Sequence, residues 1–439
     1  MAFQTIPGTG GAPDSYVGTS GVDSVAITNN NNAVDLLGYD SNDAVTIVNA
    51  LGVVNAYTLR GGSGNDAFTS TLTTIAGNSF FNGNAGNDVI TLNAFNGVSV
   101  TSSAIRGGQG NDTIALTGSL NGSLLNGNLD DDTITTAGSS NSSIFGGQGV
   151  DTLFITGATV LTNVSGDRDN DRITIGANAG GNVATNLSQS SIFGGHGNDT
   201  INITAGVTAS TDTSIYGGDG NDRINAAAAT VALRVFGEDG DDTINGSTGG
   251  GILNGGAGAD TITANGGATT IVGGTGADQL TAGAGVDTFV FAAGDSFATT
   301  GVTGATATFT NGVDTLVDVI TGFSAANDFF SFSTVPSNLT ETNGLGANAI
   351  IQNGRVLLSP NANELSGNIR VYVGGGAAGW NQQTGVFTYA AGAQPLPNAD
   401  FMVFQINLAT PIAAGGSTQT DITAQFNLAE AVIINNMIA

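Results

Sequence analysis

The sequence predicts an all-β chain wound as a parallel β-solenoid over residues 18–290, with a short irregular arm before it (1–17) and a β-rich cap after it (291–439). Three columns of residues carry this prediction. The first is a recurring aspartate: Asp23, Asp43, Asp66, Asp88, Asp112, Asp132, Asp151, Asp171, Asp199, Asp222, Asp242, Asp260, Asp278 and Asp287. The second stands two residues later and is wholly apolar, from Val25 and Val45 through Phe68, Ile90 and Ile114 to Leu280 and Phe289. The third stands two residues before each aspartate-bearing turn and is apolar as well, as at Leu36, Leu59, Phe81, Ile105, Leu125, Ile192 and Leu253. Each coil therefore brings at least one inward apolar side chain from each of two strands. Such a core stays dry only when coils stack on one another.

Spacing sets the size of a coil. Most neighbouring aspartates lie 18 to 24 residues apart, enough for two strands and two turns. One turn of each coil carries the aspartate, and the other is expected to be a polar loop of varying length, such as 117–123 or 204–214.

Around each aspartate the chain approaches the pattern Gly-Gly-x-Gly-x-Asp-x-U-x, with U a large apolar residue. Residues 217–225, GGDGNDRIN, fit it throughout. Glycine permits backbone angles closed to other residues and lets a tight turn point its carbonyls inward. The aspartate adds a carboxylate, and the result is an all-oxygen shell suited to a hard cation such as Ca2+. The candidate calcium-turn residues are Gly61, Gly62, Gly64 and Asp66; Gly86 and Asp88; Gly107, Gly110 and Asp112; Asp132; Gly146, Gly149 and Asp151; and Asp171. They continue with Gly194, Gly197 and Asp199; Gly217, Gly220 and Asp222; Gly237, Gly240 and Asp242; Gly255, Gly258 and Asp260; and Gly273, Gly276 and Asp278. Asp287 closes the set. Because 273–281 and 282–290 are directly consecutive nonapeptides, Asp287 is expected on the side that is otherwise free of metal. Turns 18–26 and 38–46 have lost glycines and are expected to bind calcium weakly or not at all. Asp130 and Asp169 replace the fourth glycine, a change that either distorts the turn or adds a ligand, with weakened geometry the expectation.

Composition excludes several functions. The net charge is −27, and the eight basic residues are all Arg, so the electrostatic term for binding nucleic acid has the wrong sign. Of 35 acidic residues only four are Glu, and 22 of the 31 Asp fall in the nonapeptide windows. A merely solvated acidic surface would mix the two. Carboxylates crowded into tight turns repel one another until a divalent cation neutralises them. There is no Cys to staple the fold and no apolar run of 18 residues to cross a membrane as a helix. His196 is the only histidine, so a two-histidine metal site or an H-E-x-x-H protease motif is impossible, and no G-x-S-x-G elbow occurs. The sequence reads as that of a non-enzyme. Trp380 is expected in the core of the cap.

The nonapeptide resembles the calcium-binding repeat of RTX (hemolysin-type) proteins. The resemblance implies a right-handed parallel β-roll that holds several Ca2+ ions in one file between successive turns. The segment DVITGF (318–323) followed by NDFFSFS, the stretch WNQQTGVFTYA (380–390) and the tail INNMIA resemble the C-terminal regions of secreted members. They imply export by the type I secretion machinery of a Gram-negative-type bacterium to the cell surface or medium, in keeping with an N-terminus (MAFQTIPGTGG) unlike a cleavable signal. RTX toxins and enzymes carry a separate active domain, whereas repeats and cap take up nearly all of these 439 residues. The chain is thus most similar to RTX surface-layer and extracellular matrix proteins. The function this implies is a structural protein that folds in external calcium and assembles with itself into a layer or filament. The arm is expected to complete the sheet edge of a neighbouring copy. The alternative is a calcium-stabilised adhesion module for cell-surface polysaccharide, against which the scarcity of aromatic and basic residues in the repeats weighs.

Overall fold

The computed structural model describes residues 14–291, apart from 28–33, 49–52, 71–73, 93–98, 177–184, 205–206 and 210–211. It also describes 4–6, 306–308, 318–323, 328–332, 349–352, 355–358, 368–374, 379–381, 386–388 and 401–408. The readings of the proline-bearing segment 7–13 and of the tail 409–439 fall outside these residues, as does the side chain of Trp380. The chain forms two compact units, 1–231 and 232–439, and the described residues of both are strands and turns without a helix.

In the first unit each coil has a leading strand, which runs into the aspartate turn, and a trailing strand, which leaves it. The leading strand Tyr57–Ser63 shows why the sequence folds this way. Tyr57, Leu59 and Gly61 alternate inward while Thr58 and Arg60 face out, the two-residue period of a pleated strand. Leading strands stack parallel and in register, so that Leu36, Leu59, Phe81, Ile105, Leu125, Ile144, Val164, Ile192 and Ile215 form one inward file. Trailing strands do the same with Val45, Phe68, Ile90, Ile114, Ile134, Leu153, Ile173, Ile201 and Ile224. No residue of either file is more than 2% exposed. These are the apolar columns of the sequence, now serving as a continuous core.

The second unit repeats the arrangement with Val235, Leu253, Ile271, Phe289 and Phe330 in the leading file and Ile244, Ile262, Leu280 and Ile320 in the trailing file. Coil stacking therefore runs beyond residue 290. Asp318–Phe323 pairs in parallel with Gln279–Thr281, and Phe329–Phe332 with Thr288–Phe291. Residues 318–321, DVIT, keep the second half of the nonapeptide, which is why they stack as another trailing strand. Phe401–Leu408 then lies parallel to Asp318–Phe323, and Asn368–Gly374 pairs with it antiparallel.

Two local expectations are corrected. The arm is not wholly irregular: Gln4–Ile6 pairs antiparallel with Asp14–Val17, so part of it covers the edge of its own leading sheet. Nor is 117–123 a simple loop. Thr113–Asn121 is a single strand with Leu116 and Leu120 buried and a register shift at Leu116/Ser119, because that apolar alternation can be buried only by extending the sheet.

Candidate metal centre

The aspartates of successive turns are joined in a ladder. The backbone N–H of each donates to Oδ1 of the aspartate one coil on: Asp66 to Asp88 at 2.6 Å, Asp88 to Asp112 at 2.7 Å, Asp112 to Asp132 at 2.8 Å, Asp132 to Asp151 at 2.7 Å. The first unit carries the ladder from Asp23 to Asp222, and the second from Asp242 through Asp260 and Asp278 to Asp318. Every member is at most 3% exposed. Asp318, beyond the last nonapeptide, was not among the sequence-derived candidates, although its D-x-U-x surroundings carried the signal.

One carboxylate oxygen is thereby satisfied and the other is not. In Asp43, Asp66, Asp88, Asp112, Asp132, Asp151, Asp171, Asp199 and Asp260, Oδ2 is buried with no hydrogen-bond partner. A buried acceptor without a donor is costly, and a buried charge more so. Loss of water pushes these carboxyls up, against the opposing pull of the N–H donated from the coil before. Asp66, Asp88, Asp112 and Asp151 rise to about 7, Asp132, Asp171 and Asp260 to about 8, and Asp199 to about 6.

The first glycine of each turn shows what the unsatisfied oxygens face. A Cβ built on Gly83 would lie 2.6 Å from the carbonyl oxygen of Gly107 in the next coil and closer still to Oδ2 of Asp88 in its own. The same cradle recurs at Gly107 and Gly146, where the next coil's carbonyl would be 2.8 and 2.7 Å away, and at Gly61, Gly194, Gly237 and Gly255. Carbonyl and carboxylate oxygens thus converge where no donor stands between them, which suits a hard cation. Among the described residues no three His, Asp or Glu side chains come together. The shell therefore rests largely on main-chain oxygens, with the aspartates supplying the charge. The second and fourth glycines differ from the first. At Gly62, Gly64, Gly86, Gly110, Gly149, Gly197, Gly220, Gly258 and Gly276, φ is positive and an added Cβ would strike the backbone of the preceding coil. They permit stacking, and the first glycines leave room for the ion.

Departures from the pattern are informative. Asp130 and Asp169 take the fourth glycine's place with φ of 73°. Their carboxylates accept N–H groups of Gly110 and Gly149 at 2.9 and 3.2 Å. In the worn first turn, Thr19 donates its backbone N–H to Asp23 Oδ2 at 2.5 Å and its hydroxyl at 2.9 Å, which holds that carboxyl below its ordinary value. Asp287 accepts N–H groups of Thr269 on Oδ1 and Gly283 on Oδ2, at 3.1 and 2.7 Å, and stands beside the leading strand on the other side of the coil. Protein donors there do what a cation would do elsewhere.

Two further ladders were hidden in the sequence. Asn65 N–H donates to Asn42 Oδ1, Asn87 to Asn65 and Asn111 to Asn87, at 2.8 to 3.1 Å, running opposite in direction to the aspartate ladder. The repeated Asn-Asp pair was their signal. On the far turns, Ser79 N–H donates to Ser103 Oγ at 3.2 Å, Ser103 to Ser123 and Ser123 to Ser142 at 3.1 Å, and each hydroxyl donates onward to a nearby carbonyl. A hydroxyl supplies its own proton, so this side is satisfied without charge. Ser123→Ala should cost about 1–3 kcal/mol in urea unfolding at saturating calcium, with the number of bound ions unchanged. A fall in calcium stoichiometry would show that this ladder is part of the metal site.

The family model described as RTX calcium-binding nonapeptide repeat (4 copies) matches residues 71–98, 104–118, 126–154, 189–206, 212–229, 236–271 and 263–298. No curated protein matches the chain. The nonapeptides stack as a parallel β-solenoid whose turns gather main-chain and aspartate oxygens, and the chain carries RTX calcium-binding repeats that bind multiple Ca2+ ions.

Proposed function

We propose that the protein is a secreted structural protein that folds in external calcium and assembles with itself into a cell-surface layer or extracellular filament. The observation that carries this reading is the continuity of the aspartate ladder within each unit, which makes buried carboxylates the spine of the fold. The residues that would hold the ions are the ladder aspartates from Asp66 to Asp278, with carbonyls of the first glycines. Bound Ca2+ supplies the positive charge that these oxygens lack. Where calcium is scarce, mutual repulsion keeps the chain open; sites of extracellular strength, roughly 10⁻⁴ to 10⁻³ M, fill only outside the cell. Export through type I secretion machinery as an unfolded chain follows from that logic. Structure and not catalysis is then the product of the repeats. Gln4–Ile6 pairs with Asp14–Val17 within the chain, so any completion of a neighbour's sheet edge by the arm would involve that pair.

The test is electron microscopy, with circular dichroism, of EGTA-unfolded protein dialysed into about 5 mM calcium, above the affinity of extracellular modules. Ordered sheets or filaments that appear together with β signal are expected. A protein that folds but stays monomeric would reject self-assembly.

A further inference from the structure

We propose that the outer face of the leading sheet in the first unit binds an extended acidic polysaccharide. The repeats have few aromatic and basic residues, but the fold gathers them. Register places Arg60, Arg106, Phe145, Phe193 and Tyr216 in one outward file along the coils, and Phe80 in the file beside it. From Arg60 to Tyr216 the file crosses seven strand spacings, on the order of 34 Å at ~4.8 Å each.

Its chemistry changes along that length. At one end the guanidiniums of Arg60 and Arg106 lie 5.7 and 5.6 Å from the ring centre of Phe80. Arg60 also pairs with Asp35 Oδ1 at 3.5 Å, so Arg106 is the cation that the strip offers a ligand. At the other end Phe193 and Tyr216 stack with centroids 4.9 Å apart and planes within 8°, and Phe145 stands two coils before Phe193. Beside Phe80 a groove of about 580 Å³ runs over four coils, its lining mostly Ser and Asn. Asp35 stands next to Thr58 in the second file and pairs with Arg60; from Thr58 to Tyr216 neither file carries an acid, so the strip is locally spared the repulsion that the net charge of −27 imposes elsewhere.

These features favour a glycan over a protein partner. A protein interface core needs continuous packed contact, whereas Asn82, Asn126 and Ser165 break up the file and Ser143, Asn163 and Ser191 follow one another in the file beside it. Aromatic faces suit the C–H faces of sugar rings, hydroxyls and amides suit their hydroxyls, and the Arg106 guanidinium suits a carboxylate.

The experiment is titration calorimetry of the full chain at saturating calcium with a defined-length oligogalacturonate, against a neutral oligoxylan of the same length. The variants are Arg106→Gln and the double variant Phe193→Ala/Tyr216→Ala. Their side chains face outward, and circular dichroism checks that the β signal is kept. Binding of the oligogalacturonate, weakened about tenfold or more in each variant, is expected. Absence of binding, equal binding of the oligoxylan, or unchanged affinity in both variants would overturn the proposal. So would loss of self-association in the variants with glycan affinity intact, which would assign the strip to a second copy of the chain.

Discussion

In calcium-free buffer the protein is expected to lack β circular dichroism at pH 8 and to gain it as the pH falls to about 5. The reason lies in the sign of the shifts along the ladder. Unfolded aspartates titrate near 3.9, whereas Asp66, Asp88, Asp112 and Asp151 in the fold are raised to about 7 and Asp132, Asp171 and Asp260 to about 8. Between those limits the folded state binds more protons than the unfolded state. Stability of the metal-free fold therefore rises as pH falls through the folded values and levels off below the unfolded one. Protons neutralise the same oxygens that calcium neutralises. The two compete, so calcium affinity should fall on acidification and binding at pH 7 should release protons. A pH series in metal-depleted buffer with dichroism checks the first point, and calorimetry in buffers of different ionisation enthalpy checks the second. Metal-free β signal strongest at pH 8 would contradict the ladder as an electrostatic spine.

Most of the solenoid was legible because its constraints are local and repeated. An inward apolar residue such as Ile114 and a turn aspartate such as Asp112 must recur in every coil, so each coil restates them. What escaped the sequence reading lacks one of these properties. The hydroxyl ladder of Ser79, Ser103, Ser123 and Ser142 recurs, but serine is common in polar turns of any kind, and the distance from one to the next changes with the connection. The Asn42 to Asn111 ladder was visible as a repeated Asn-Asp pair yet stood at a position treated as variable. Asp318 continues the aspartate ladder after a gap of 40 residues from Asp278, too long for a spacing rule to bridge. The pairing of Gln4–Ile6 with Asp14–Val17 is antiparallel in a parallel sheet, and periodicity cannot predict a strand that breaks the period. Asp287 sits in a nonapeptide, yet both of its carboxylate oxygens accept backbone N–H groups, which the motif alone does not reveal.

Replacing Gly146 with alanine should remove about one calcium ion and cost about 3 kcal/mol at saturating calcium. The added methyl would enter the cradle itself, 2.7 Å from the carbonyl of Gly166 and against Oδ2 of Asp151. Either the coils part, breaking the N–H of Asp151 to Asp171 Oδ1 at 2.7 Å, or the methyl displaces the ion and leaves the carboxylate buried and unpaired. Asp151→Asn separates these causes. It keeps the acceptor on Oδ1 and removes the charge, so it should lower calcium stoichiometry while making the metal-free fold less dependent on low pH. Gly122→Asn is the control for glycine as such. Gly122 has φ of 59°, and an added Cβ would meet nothing closer than Ser102 Oγ at 3.9 Å; the corresponding turns already place Asn78 and Asn141 at φ of 60° and 49°. That change should stay within about 0.5 kcal/mol, since the backbone conformation tolerates Asn and the unfolded chain loses freedom. Urea unfolding with a calcium count on the three variants tests the distinction. Equal losses in Gly146→Ala and Gly122→Asn would mean that the first glycine is kept for its backbone freedom alone. A loss confined to Gly146→Ala and Asp151→Asn would mean that it is kept for the space an ion occupies.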